Sequence, residues 1–265
     1  MALGLALLSA GRTSGGELTA KIAAKYKVKA VDTWFEGRRT RFDFKGREAW
    51  VVEPPEGVAP AEGRPWTWTM QWRDAFVPRT GVPRLLKRGF HHATVETFSR
   101  KMDAEGLRIS AEFQRFLVED LALAPKARLV GMSWGGFFSI RYASVNPDKV
   151  DRIYLDAPLL NFDGFPAGQI APWKLAEGAT GWSDNPEMPV NRAKAVAAAG
   201  IPILLLYGGA DKGVPPALNC ELFAPRFKAA GGRIKVVCRK DFGHHPHGVD
   251  ETDDTIVDFM TKGIQ

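Results

Sequence analysis

An apolar run from Ala127 to Val130 leads into Gly131-Met132-Ser133-Trp134-Gly135, and a second, helix-length run from Phe137 to Val145 follows directly. The first run reads as a buried strand and the second as a helix, so Ser133 is expected at the apex of a sharp strand-to-helix turn. Gly131 and Gly135 are expected to keep side chains out of that crowded turn. The free N–H groups and positive dipole end of the helix face back toward the serine, where they favour a developing negative charge. An exposed serine nucleophile is the chemistry this arrangement suits, an ordinary tight turn being the bland alternative.

The rest of the chain alternates strands and helices around this point. Residues 17 to 27 read as a peripheral helix, and Arg39–Lys45 with Glu48–Val52 as a β-hairpin turning at Lys45-Gly46. After a Pro- and Gly-rich connection, Trp66 to Trp72 alternates aromatic and polar residues as a strand does, and Gly89–Val95 is a further strand. A short basic helix lies between them. Ala104 to Leu123 carries apolar residues at helical spacing, and Pro125 stops it just before the serine-bearing strand. Downstream come a strand at Val150–Ala157, a helix at Asn191–Ala199, a strand at Ile201–Tyr207, a helix at about Pro216–Ala230, a strand at Arg233–Cys238 and a helix at Asp250–Thr261. Leu159 to Met188 is rich in Gly and Pro without periodicity and reads as an irregular excursion after the sixth strand. The expected class is α/β, with a mostly parallel central sheet and helices on both faces. Residues 1–38 are expected to form an extension with a peripheral helix, and 39–265 one domain with 159–188 as a cap-like excursion.

A length of 265 residues and a hydrophobic content of 45% suit one such domain. The net charge of +6 comes from scattered Lys and Arg, which reads as a solvated basic surface or a preference for anionic substrates, with no nucleic-acid partner. Met1 to Ala10 is apolar but too short to span a bilayer, so no membrane association is expected. It reads as the trimmed end of a signal segment, which would imply secretion or a periplasmic location, or as a first helical turn of a cytoplasmic protein. Cys220 and Cys238 form one disulfide or remain two buried free thiols.

A serine nucleophile needs a base, and the base an orienting acid. In open α/β sheets such groups project from the carboxyl ends of strands. Ile201–Tyr207 runs into Gly208-Gly209-Ala210-Asp211, which nominates Asp211 as the acid. Arg233–Cys238 runs into Gly243-His244-His245-Pro246-His247-Gly248, which places three of the chain's five histidines at the next strand end. One of them is expected to be the base rather than part of a metal cluster, since the loop offers no Cys or other ligand nearby. The order Ser, Asp, His is that of the α/β-hydrolases.

Together, Gly131-Met132-Ser133-Trp134-Gly135-Gly136, Ala143 to Pro158, Tyr207 to Pro215 and Gly243 to Gly248 resemble the α/β-hydrolases. More narrowly, they are similar to bacterial esterase-like members that carry a Gly-His-His-Pro-His segment and are often linked with plant polysaccharide breakdown. The resemblance spans about Arg39 to Gln265 and implies the α/β-hydrolase fold. It makes Ser133 the nucleophile, Asp211 the acid and His244 the base, with His245 and His247 as rivals. The backbone N–H of Trp134 would be one oxyanion donor; the second would come from the loop around Gln71, Trp72 and Arg73, with Trp72 as the choice. That loop lacks the common His-Gly-Gly pattern. The implied reaction is carboxylester hydrolysis through an acyl-enzyme, on a small-molecule or saccharide ester, with no cofactor and no metal. A peptidase of the same fold and a catalytically silent binding protein are the alternatives. Trp173 and Trp182, in the excursion, are candidates for the substrate pocket, while Trp66 and Trp68 read as core and His91 and His92 as structural.

Overall fold

The computed structural model describes residues 16–264. The expectation for Met1 to Ala10 lies outside them. Within them, no helix is long and apolar enough to cross a membrane.

The strands are β1 (Val28–Trp34), β2 (Gly37–Phe44), β3 (Arg47–Pro55), β4 (Trp66–Thr69), β5 (His91–Val95), β6 (Ala127–Met132), β7 (Val150–Asp156), β8 (Ile203–Gly208) and β9 (Ile234–Arg239). They form one sheet in the order β1-β2-β3-β5-β4-β6-β7-β8-β9. β1, β2, β3 and β5 pair antiparallel in succession, and every pairing from β5 onward is parallel. The helices are α1 (Glu17–Ala23), α2 (Val82–Leu86), α3 (Ala104–Glu119), α4 (Trp134–Val145), α5 (Ala167–Ile170), α6 (Pro189–Ala198), α7 (Cys220–Ala229) and α8 (Thr255–Lys262).

The strand period of two sorts successive side chains onto opposite faces and so builds two cores. Leu129, Ile153, Leu155, Ile203 and Leu205 join one core with α3, α4, α6 and α7, which contribute Phe113, Phe137, Val190 and Phe223. Val130, Tyr154, Leu204 and Leu206 join the other, closed by Leu85 and Leu86 of α2 and by Ile256, Val257 and Met260 of α8. Burial on both faces is why β8 is an unbroken apolar run rather than an alternating one.

Three expectations are corrected. Residues 28–34, assigned to an N-terminal extension, are β1, an edge strand of the main sheet whose alternating burial reflects one solvated face. The irregular excursion therefore follows the seventh strand rather than the sixth. The strand expected over Trp66–Trp72 ends at Thr69; the Met70 N–H still donates to the Val130 carbonyl, after which the chain turns away with Trp72 at φ 60°. Of the two alternatives left open for the cysteines, free thiols are found, Cys220 buried and Cys238 exposed.

Strand order also explains where a site can form. The chain leaves β4 for β5 on one side and leaves β6 for β7 on the other, so adjacent strands send their connections in opposite directions. A crevice opens at the carboxyl ends of such a pair.

Candidate active site

Ser133 sits in that crevice, at the end of β6. Its backbone lies at φ 50° and ψ −119°, a conformation L-residues adopt only when the surroundings hold them there. Three main-chain hydrogen bonds do so: Ser133 N–H donates to the Asp156 carbonyl at 3.0 Å, and the Ser133 carbonyl accepts from Gly136 and Leu159 N–H groups, each at 2.9 Å. A Cβ at Gly131 would come within 2.8 Å of the Gly135 carbonyl, and one at Gly136 within 2.2 Å of Pro158 Cβ. These two glycines let β6, α4 and the start of the excursion meet. Gly135, expected to share that role, has ordinary room: a Cβ there would stand 3.4 Å from the nearest atom.

His244 Nε2 lies 3.1 Å from Ser133 Oγ, and His244 Nδ1 lies 2.7 Å from Asp211 Oδ2. Asp211 Oδ1 accepts the Gly213 and Val214 N–H groups at 2.8 and 2.9 Å. Burial by itself would raise the Asp211 carboxyl, but the His244 contact and these two N–H groups outweigh it and hold it below the usual range. Asp211 is therefore an anion at neutral pH, facing His244 Nδ1. Of the rival histidines, His245 is stacked on Phe76 at 5.4 Å, and His247 gives its Nδ1 to Asp156 at 2.9 Å. The structure brings Ser133, His244 and Asp211 together and leaves the other two in different contacts.

The Trp134 N–H is the first of α4, free of an intrahelical partner and beside Ser133. Gln71 has its main chain against Gly135, its N atom 3.4 Å from where a Cβ would stand. The Gln71-Trp72 turn thus faces the N-terminus of α4 across the crevice. A cleft of about 700 Å³ opens beside it, lined by Trp72, Arg73, Thr94, Glu96 and Phe98 among others. The Trp72 indole is 42% exposed and leans on Phe98 at 5.2 Å, so its outer face is free for a ligand. Lys101 Nζ lies 3.3 Å from the Phe98 ring centre and 5.1 Å from that of Trp134, and burial pushes its pKa down.

Trp173 and Trp182, expected to line the pocket, brace the excursion instead. Trp173 donates its indole N–H to the Lys101 carbonyl at 2.8 Å, meets Phe137 edge-on and has the Arg141 guanidinium over its face at 4.6 Å. Trp182 packs against Phe162, which is itself 5.4 Å from Trp134. The excursion needs such anchors because it has almost no regular structure; Asp163 adds another by accepting the Trp182 and Ser183 N–H groups. Trp66 and Trp68 are buried in the core. His91 and His92 are buried too, and burial lowers their pKa values to about 4 and about 3, so both are neutral.

Sequence reasoning missed Asp156. It ends β7, fully buried, and its carboxylate accepts from Tyr154 Oη at 2.5 Å, His247 Nδ1 at 2.9 Å and Gly248 N at 2.7 Å, with Arg239 Nη2 at 3.6 Å. It ties the loop that carries His244 to the strand that neighbours Ser133. The signal available in the sequence was an acidic residue closing an otherwise apolar strand, where a charge has no business unless it is paired.

No curated protein shows significant sequence similarity to this chain. The family model for the alpha/beta hydrolase fold matches residues 88–178, which include the Ser133 turn. Among solved structures, an S-formylglutathione hydrolase from Agrobacterium tumefaciens aligns with TM-score 0.64 at 14% identity, over 88% of this chain and 95% of its own. A Klebsiella pneumoniae protein assigned as a dienelactone hydrolase aligns with TM-score 0.56 at 18% identity, over 82% and 88%. An acylaminoacyl peptidase from Pyrococcus horikoshii aligns with TM-score 0.57 at 14% identity over 85% of this chain, which spans only 39% of the peptidase. With the sheet order and the two-sided core, these likenesses show that the chain has the α/β-hydrolase fold.

Proposed function

We propose that the protein is a serine carboxylester hydrolase working through an acyl-enzyme. The observation that carries this reading is the unbroken relay from Ser133 Oγ to His244 Nε2 at 3.1 Å and from His244 Nδ1 to Asp211 at 2.7 Å. In the proposed reaction Ser133 Oγ attacks the ester carbonyl carbon as His244 Nε2 takes its proton. Asp211 fixes the ring tautomer and stabilises the imidazolium that results. The oxyanion is held by the Trp134 N–H and an N–H of the Gln71-Trp72 turn, in the positive field of the α4 N-terminus. The C–O bond to the leaving group then breaks as His244 returns its proton to the departing alcohol. Water repeats the two steps on the acyl-enzyme and frees the acid.

The proposed substrate is an ester with a carbohydrate on one side of the scissile bond. Support for this comes from the cleft beside the turn, where the exposed Trp72 face offers an apolar platform of the kind sugar rings stack on. The test is hydrolysis of short-chain chromogenic esters and of acetylated or methyl-esterified saccharides, alongside an amide and a peptide. Turnover of the esters with none of the amide supports the reading; turnover of the peptide alone would transfer it to the peptidases of this fold.

A further inference from the structure

The loop between β9 and α8 carries more imidazole than the relay uses. His244, His245 and His247 each present a ring nitrogen within 4.8 Å of those of the other two. The three ring centres are mutually 4.8, 4.9 and 4.9 Å apart, at steep angles to one another. Two of the rings are already oriented as metal-binding histidines usually are, with one nitrogen donating to a carboxylate so that the other is free and more basic. Asp211 holds His244 by Nδ1, and the buried Asp156 holds His247 by Nδ1. In both rings the nitrogen not held by a carboxylate is Nε2, and in His244 that atom faces Ser133 Oγ at 3.1 Å. The third, His245, is exposed and packs only one face, on Phe76.

We propose that His244, His245 and His247 form a binding site for a divalent transition ion of the zinc type, and that its occupancy turns the active site off. Zinc takes imidazole nitrogens at about 2.0–2.1 Å in a tetrahedron, which requires them about 3.4 Å apart. Closing the present separations, all within 4.8 Å, to that value needs the exposed His245 ring to swing inward and the His244 and His247 rings to approach each other. Imidazole selects Zn2+, Cu2+ or Ni2+ over Mg2+ and Ca2+, which prefer oxygen. Inhibition follows because the His244 Nε2 lone pair that binds the ion is the one that must accept the Ser133 proton. Binding stands on the geometry alone, whereas inhibition rests on the esterase reading above.

The test uses the whole chain, freed of metal by a chelator. Titration with Co2+ is expected to give the intense visible absorption of a four-coordinate ion at one equivalent, displaced by Zn2+. Zn2+ is expected to abolish ester hydrolysis reversibly, with chelator restoring it and Mg2+ without effect. His245→Gln is expected to raise the inhibitory Zn2+ concentration at least about tenfold, since removing a ligand should cost no less than the roughly 10–100-fold lost with an outer-shell partner, and to leave zinc-free turnover within about twofold. A Co2+ spectrum no different from the aqueous ion, equal inhibition by Mg2+, or equal Zn2+ sensitivity of wild type and His245→Gln would each overturn the site. Stoichiometric Co2+ binding by a protein that hydrolyses no ester would uphold the site and count against the esterase reading, so the two failures are distinct.

Discussion

Asp156 and Ser133 are joined through the main chain, the Ser133 N–H donating to the Asp156 carbonyl at 3.0 Å, while the Asp156 carboxylate grips the base loop through His247 and Gly248. One residue therefore sets the position of Ser133, the proposed nucleophile, with its backbone and of the loop carrying His244, the proposed base, with its side chain. Replacing it by Asn keeps the shape but turns an NH2 group toward donors such as the Gly248 N–H. Asp156→Asn is expected to cost about 1–3 kcal/mol in urea unfolding, the penalty of a mispaired buried group. Because the relay geometry shifts as well, kcat should fall by about tenfold or more with KM little changed. Unchanged kcat in the folded variant would restrict Asp156 to stability.

Asp211→Asn tests the acid. The Asn carbonyl can still accept the Gly213 and Val214 N–H groups, so unfolding stability should stay within about 1 kcal/mol of wild type. Its NH2 group, however, would face His244 Nδ1 and force the ring proton onto Nε2, where it blocks acceptance from Ser133. Turnover should drop by about 10³- to 10⁴-fold. Near-normal steady-state rates would remove Asp211 from the relay.

Trp72→Ala tests the cleft. Stacking on an aromatic face contributes about 1–1.5 kcal/mol, so KM for a saccharide ester should rise about five- to tenfold while kcat for a small acetyl ester is unchanged. Equal effects on both substrates would mean that Trp72 supports the turn and does not hold the sugar.

Glu53 gives a prediction for stability against pH. Burial raises its carboxyl from 4.5 to about 7, only partly offset by Arg38 and Arg64, and its Oε2 has no hydrogen-bond partner among the described residues. Between pH 4.5 and 7 the folded state thus holds a proton that the unfolded chain has released, so this group makes stability fall as pH rises through that window. Glu53→Gln abolishes that dependence. Relative to the variant, wild type should lose about 2 kcal/mol between pH 5 and pH 8, read from urea midpoints, after allowance for the partial solvent access of the group. Parallel pH profiles for the two proteins would contradict this.

The positions of Ser133, Asp211 and His244 were legible because each follows directly on a strand whose apolar run marks it, and chain order did the rest. The parallel half of the sheet was legible for the same reason. β1 was not, since Val28-Lys29-Ala30-Val31-Asp32-Thr33-Trp34 lies at a half-solvated edge where alternation is weak and charges interrupt it. Trp173 and Trp182 misled because an indole in an irregular segment can face a ligand or anchor the segment, and only the contacts with Phe137, Phe162 and Lys101 decide. Asp156 escaped because its partners His247 and Gly248 lie 91 and 92 residues away.

The most direct measurement is hydrolysis of a short-chain chromogenic acetyl ester by wild type and Ser133→Ala, both shown to be folded by far-UV circular dichroism. The account predicts saturable turnover by wild type and a fall of about 10⁶-fold in kcat for the variant, the loss typical of removing a nucleophile from such a relay. Equal turnover by the two proteins would contradict it, as would no turnover by folded wild type on any ester.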